Sequence, residues 1–117
     1  MSDLASVEEL KAAANAAFGA KKFIDAVDKY TDALAQLSLS HTDENAAPVV
    51  ELKATLLLNR AAAFLDSSNF DAALQDCNAA LAIDPAREKA VFRRAQAQEG
   101  LGKHGEAFKD FKALVGG

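Results

Sequence analysis

Five residues have the types and spacing to hold an anion. Lys11 and Asn15 stand four apart, Lys89 and Arg93 stand four apart, and Asn59 lies between the two pairs along the chain. On a helix, a spacing of four sets two side chains on one face, one turn from each other. Two ammonium groups, one guanidinium and two amides then form a set rich in donors. The chemistry that such a set suits is capture of an oxyanion, a carboxylate above all, by charge-assisted hydrogen bonds. Lys89 over Arg93 is a like-charge pair, mildly unfavourable in an isolated helix. The alternative reading of these residues is an ordinary solvated basic face.

Other chemistries find no support. His41 and His104 have no Cys, His or Asp neighbours at metal-ligand spacing. No Gly-rich phosphate loop or nucleophile elbow occurs. The single Cys77 excludes an internal disulfide and fits a reducing compartment. These residues therefore point to a binding module with no catalytic group, cofactor or metal. A net charge of -4, from 13 basic and 17 acidic side chains, argues against nucleic-acid binding. No stretch approaches the ~20 apolar residues that cross a bilayer. The first ten residues are acidic and lack the apolar core of a signal peptide. A cytoplasmic protein is the expectation.

The elements that position the five residues emerge from self-similarity. Arg60, Ala61, Ala63, Ala73 and Asp76 recur 34 residues later as Arg94, Ala95, Ala97, Ala107 and Asp110. Ala14, Ala16, Ala26, Ala33 and Leu34 recur 47 residues later as Ala61, Ala63, Ala73, Ala80 and Leu81. The chain is thus a single domain over 1–117. It holds repeat 1 over about 7–40, an insertion over about 41–53, repeat 2 over about 54–87 and repeat 3 over about 88–117. The insertion opens on polar turn residues, HTDENAAP.

Each unit reads as two helices. Val7, Leu10, Ala14, Ala17 and Phe18 keep helical spacing, after a capping box at Ser6 and Glu9. Phe23, Ala26, Val27, Tyr30, Ala33 and Leu34 form the apolar face of the next helix. Further helices are expected over 50–66 and 70–83. Asp84-Pro85 reads as an N-cap and first helical residue for a helix over about 85–101, and a last helix follows over 104–115. Alanine returns at the phases where helices cross, because a small side chain lets two backbones approach.

This pattern resembles the tetratricopeptide repeat (TPR) family. Its small residue in the first helix is matched by Ala14, Ala61 and Ala95, and its early alanine in the second by Ala26, Ala73 and Ala107. Its aromatic position holds Tyr30, Cys77 and Phe111, and the next alanine position holds Ala33, Ala80 and Leu114. Only repeat 2 has the closing proline, Pro85. The resemblance implies an all-α fold of three helix-turn-helix repeats, wound as a short right-handed superhelix. Such stacks curve and leave a concave groove lined by the first helix of each repeat. The five residues fall on those first helices, from three segments far apart, which weighs against a merely solvated face.

The same positions are similar to the dicarboxylate-clamp class of TPR co-chaperones. That class has Lys-x-x-x-Asn on its first helix, here Lys11 and Asn15. It has Asn-Arg on its third, here Asn59 and Arg60, and Lys-x-x-x-Arg on its fifth, here Lys89 and Arg93. The resemblance implies that the domain holds the C-terminal Glu-Glu-Val-Asp peptide of heat-shock protein 90 and/or heat-shock protein 70. Lys11, Asn15 and Asn59 would hold the chain terminus. Lys89 and Arg93 would hold the aspartate side chain. Phe18 is a candidate apolar contact or a core residue, and Asp66 a candidate backbone contact or a helix cap. Arg60 and Arg94, one residue past the groove phases, suggest a structural role. Cys77 is expected to be buried, and the acidic residues of the second helices, Asp76 and Asp110 among them, to be solvated. The insertion and the 89–103 stretch look most like the N-terminal domain of UCS-type myosin chaperones. Phe108, Phe111, Leu114 and Val115 are expected to lie partly uncovered at the end of the last helix. They suggest a segment of a longer protein, and self-association or another protein partner as the alternative function.

Overall fold

The computed structural model describes residues 4–40 and 42–116. Six helices follow one another: α1 (Leu4–Gly19), α2 (Phe23–Leu39), α3 (Ala47–Asp66), α4 (Phe70–Ile83), α5 (Glu88–Gly100) and α6 (His104–Gly116). No strand occurs among the described residues. Each helix packs on the next, and the first helices α1, α3 and α5 also touch in turn. The backbones of the second helices α2, α4 and α6 stay further apart. The array therefore bends with α1, α3 and α5 on its inner side, within an envelope of 47 × 30 × 19 Å.

The repeating alanines explain how the helices come so close. Ala14, Ala61 and Ala95 on the first helices, and Ala26, Ala73 and Ala107 on the second, are all fully buried. Larger buried side chains fill the remaining space, chiefly Tyr30, Leu56, Val7 and Cys77. Burial pushes the Cys77 thiol up to about 12, with the Asp76 carboxylate adding to the shift.

Three tight turns join the helices within each repeat, and all three have one geometry. The amides of Lys22, Asn69 and Lys103 donate to the carbonyls of Ala17, Phe64 and Gln98, at 2.9, 2.8 and 2.8 Å. The residue before each amide is left-handed: Lys21 at φ 63°, Ser68 at φ 61° and Gly102 at φ 77°. These are Schellman closures, which satisfy the last carbonyls of a helix. Only the third uses the glycine that the conformation favours.

Several boundaries differ from those expected. α1 begins at Leu4, so Ser6 lies inside its first turn and caps nothing. Residues 47–53 of the insertion are the first turns of α3, with Pro48 at the helix start, where its missing N–H does no harm. Val49 and Leu52 are buried there and join the core cluster of Leu37 and Leu56. Asp84-Pro85 does not open α5. Asp84 follows α4, its carbonyl accepts from Arg87 N at 3.2 Å and its side chain accepts from Ala86 N at 3.2 Å. This turn delays α5 to Glu88.

Asp76 and Asp110 correct the expectation of a solvated acidic back. Both are buried. Arg60 binds Asp76 through Nε at 2.8 Å and Nη2 at 2.7 Å, and Arg94 binds Asp110 through the same atoms at 2.8 Å each. The third arm of each fork reaches the preceding second helix, at Thr31 (3.1 Å) and Asn78 (3.3 Å). One arginine thus fastens three helices, twice. In repeat 1 the equivalent positions are Ala13 and Lys29, so that fastening is missing.

Candidate functional site

The inner face gathers side chains from α1, α3 and α5. Asn59 Nδ2 donates to Asn15 Oδ1 at 3.3 Å, across the α1–α3 junction. The Tyr30 hydroxyl, on α2, donates to the same Asn15 oxygen. Tyr30 is only 2% exposed. Burial raises its phenol above the ordinary value, while the charge of Arg93 and a hydrogen bond with Asn59 act in the opposite direction. Arg93 itself is half-buried, and its Nη1 donates to the Leu58 carbonyl at 2.8 Å. The guanidinium is thereby fastened to α3 beside Asn59, with the other nitrogens of its fork left to donate elsewhere.

Lys89 lies one turn before Arg93 on α5, exposed and without an ion-pair partner among the described residues. Lys89, Arg93 and Asp66 share the wall of one groove of about 610 Å³, together with Phe92, Leu65 and Ala62. Lys11 lies one turn before Asn15, and its Nζ is 3.3 Å from Glu8 Oε1. Both partners are partly exposed, so the pair is weak and exchangeable. The structure thus joins Asn15 to Asn59, fastens Arg93 to the Leu58 carbonyl next to Asn59 in the chain, and sets Lys89 one turn from Arg93. Lys11 adjoins Asn15 along α1 but is held by Glu8.

Phe18 does not line this groove. Its ring meets Phe23 edge-on, with centroids 5.6 Å apart, and packs against the core of repeats 1 and 2. Phe18 is only partly buried, so its remaining surface stays open to a peptide contact. Asp66 ends α3 and is exposed to the groove, while the helix cap is Ser67, whose N–H reaches Ala63 and Leu65. Arg60 and Arg94 point away into their ion pairs, in keeping with a structural role. Two aromatic residues near the site had no functional reading in the sequence. Phe92 is 48% exposed and stands edge-on to Phe111 at 5.9 Å. Tyr30 looked like one more apolar residue of α2. Its signal was a polar tip on an otherwise apolar stripe, since a buried tyrosine hydroxyl needs a partner.

Basic and amide donors around a concave face, on three stacked helix pairs, are the equipment of a peptide-binding solenoid. No protein-family model matches the chain. Solved structures do. The Arabidopsis OM64 TPR domain is 36% identical, with a TM-score of 0.80, over 97% of this chain and 83% of that one. The second TPR of Spaghetti (RPAP3), bound to the HSP90 peptide SRMEEVD, is 30% identical with a TM-score of 0.76, over 94% and 84%. The myosin chaperone UNC-45 from C. elegans, in complex with a Hsp90 peptide, is 39% identical with a TM-score of 0.81, over 94% of this chain and 11% of that one. This chain belongs to the tetratricopeptide repeat family. Human sperm-associated antigen 1 is a curated relative, 34% identical over 91% of this chain and 11% of its own length. The chain spans between 11% and 34% of the first curated relatives that it matches. No described helix is long and apolar enough to cross a membrane.

Proposed function

We propose that this TPR domain binds the C-terminal Glu-Glu-Val-Asp tail of heat-shock protein 90 and/or heat-shock protein 70, as a co-chaperone module of the carboxylate-clamp class. Lys11, Asn15 and Asn59 hold the main-chain carboxylate. Lys89 and Arg93 hold the side chain of the terminal aspartate. The observation that carries this reading is the Asn15–Asn59 bond between α1 and α3, with Arg93 of α5 fastened to the Leu58 carbonyl next to Asn59 and the exposed Lys89 one turn away. TPR domains of the same fold bound to such peptides add support. The role is binding, with no catalytic step assigned to any residue. A buried free thiol and a chaperone tail as ligand fit a cytoplasmic setting.

The energetics suit a reversible contact. Each charge-assisted hydrogen bond contributes about 1.5–3 kcal/mol. Several of them, less the cost of ordering a flexible tail, give roughly micromolar affinity, about -8 kcal/mol. The wall of Phe92, Leu65 and Ala62 offers apolar contact to upstream residues, and Asp66 an acceptor for peptide N–H groups. Fluorescence anisotropy of a labelled Met-Glu-Glu-Val-Asp peptide tests the reading, as free acid against C-terminal amide. Micromolar binding of the acid, lost for the amide, is expected. Equal binding of both, or of neither, refutes it.

A second reading rests on α6, where Phe108 is 65% and Val115 87% exposed. That face suits association with another chain or a second copy. Sedimentation velocity across a concentration series tests it: an s-value independent of concentration removes self-association.

A further inference from the structure

Tyr30 is buried on α2, outside the anion-holding set, yet its hydroxyl reaches into that set. We infer that Tyr30 is a positioning residue: by donating to Asn15 Oδ1, it holds the Asn15 amide with Nδ2 free to donate to a bound carboxylate. The inference rests on the clamp reading proposed above.

An asparagine amide has two faces of opposite chemistry, an acceptor and a donor, and rotation about its last bond exchanges them. A carboxylate is held by one and repelled by the other. Asn15 Oδ1 accepts from two donors, Tyr30 and Asn59 Nδ2. Rotating the amide would set Asn15 Nδ2 against Asn59 Nδ2, donor to donor, and would leave the Tyr30 hydroxyl without its acceptor. The fixed orientation leaves Asn15 Nδ2 with no protein acceptor among the described residues. The tyrosine ring cannot follow a wandering amide, because it sits in the core with Ala14, Ala26 and Ala33. Its raised pKa keeps the phenol protonated, and so a donor, throughout the physiological range.

The repeats supply an internal control. The positions equivalent to Tyr30 are Cys77 and Phe111, which have no hydroxyl. The positions equivalent to Asn15 are Ala62 and Gln96. The hydroxyl occurs in the one repeat whose first helix carries an asparagine at this phase.

The test uses Tyr30→Phe and three peptides: Met-Glu-Glu-Val-Asp as the acid, its C-terminal amide, and the acid ending in asparagine. Tyr30→Phe is expected to reduce the acid-over-amide preference about fivefold, the size of one ordinary hydrogen bond. It should leave the aspartate-over-asparagine preference intact, because Lys89 and Arg93 read that side chain. A merely structural role would lower both preferences together, and that result overturns the inference, as does an unchanged acid-over-amide preference. Should Tyr30→Phe fail to fold, the wild-type chain decides. Tyr30 is the only tyrosine and there is no tryptophan, and the peptides are transparent above 270 nm. A near-UV difference spectrum for the acid peptide that is weaker or absent for the amide supports the inference. Identical spectra for both peptides overturn it. A wild-type chain that binds acid and amide alike overturns the clamp reading itself, and is seen before any variant is made.

Discussion

Replacing Asp76 by alanine should be among the most damaging single changes to this fold, although Asp76 lies on the face away from the groove. The Asp76 side chain is 6% exposed and Arg60 20%. Deleting the carboxylate leaves the Arg60 guanidinium with the Thr31 hydroxyl and the face of the Phe64 ring, in surroundings that exclude most water. Breaking a buried pair from one side costs about 3–5 kcal/mol, since the remaining charge stays desolvated. Arg60 keeps some exposure, which puts the expected loss near the lower end, about 3 kcal/mol. The equivalent pair is more open, with Arg94 at 29% and Asp110 at 11%, so Asp110→Ala should cost less, about 2 kcal/mol. A domain of this size has a total stability of roughly 6–15 kcal/mol, so the Asp76 change removes a large share. Thermal melts by circular dichroism should fall by about 10 °C. Urea titration at low and high salt should give nearly the same loss, because a buried pair is poorly screened. A loss under 1 kcal/mol for Asp76→Ala, or a larger loss for Asp110→Ala, would refute the burial argument.

Other expectations follow from features on both faces. Lys89→Ala should abolish binding of the carboxylate tail with the melting temperature unchanged, whereas Arg93→Ala should also lose about 1 kcal/mol of stability with its bond to Leu58; equal melting of the two variants would contradict that bond. Lys21→Gly and Ser68→Gly should each stabilise by about 0.5–1 kcal/mol by relieving left-handed backbone, and Gly102→Ala should destabilise by a similar amount, all read from denaturant midpoints. The Cys77 thiol, pushed up to about 12, should react with a disulfide reagent at pH 8 only as fast as the domain unfolds. Because the folded thiol resists ionisation, its contribution is complete below the unfolded pKa near 9 and is lost as pH rises towards 12, so Cys77→Ala should flatten the alkaline fall in stability.

Much of this architecture was legible because repetition amplifies weak signals. A single buried alanine means little, but Ala14, Ala61 and Ala95 at one phase mark three helix crossings. The placement of Lys11 and Asn15 on α1, Asn59 on α3 and Lys89 and Arg93 on α5 was legible for the same reason: i, i+4 spacing on helices whose inner side the repeat defines. What stayed hidden depended on contacts between helices. Asp84-Pro85 has the letters of a helix start, but the Asp84 side chain closes a local turn instead. Asp76 and Asp110 look solvated until the arginines that pair with them, sixteen residues away in both repeats, are seen to cover them. The matched recurrence of Arg60 with Asp76 and of Arg94 with Asp110 was visible, but its meaning needs the packing of α3 on α4. The edge-on packing of Phe18 on Phe23 was not readable from helical phase alone.

The missing arginine in repeat 1 has a dynamic consequence. In a linear array of repeats, stability is a sum of unit and neighbour terms, and the weakest coupling sets where the array opens first. Arg60 and Arg94 staple the middle and the last repeat, while the first has Ala13 and Lys29 at the equivalent positions. α1 should therefore fray before the other helices, with amide hydrogens that exchange through local openings. A carboxylate shared between α1 and α3 would bridge that seam from the inner side and slow the exchange of α1 selectively. Hydrogen exchange with and without the acid peptide would show the ligand acting as the absent staple, completing the domain as it binds.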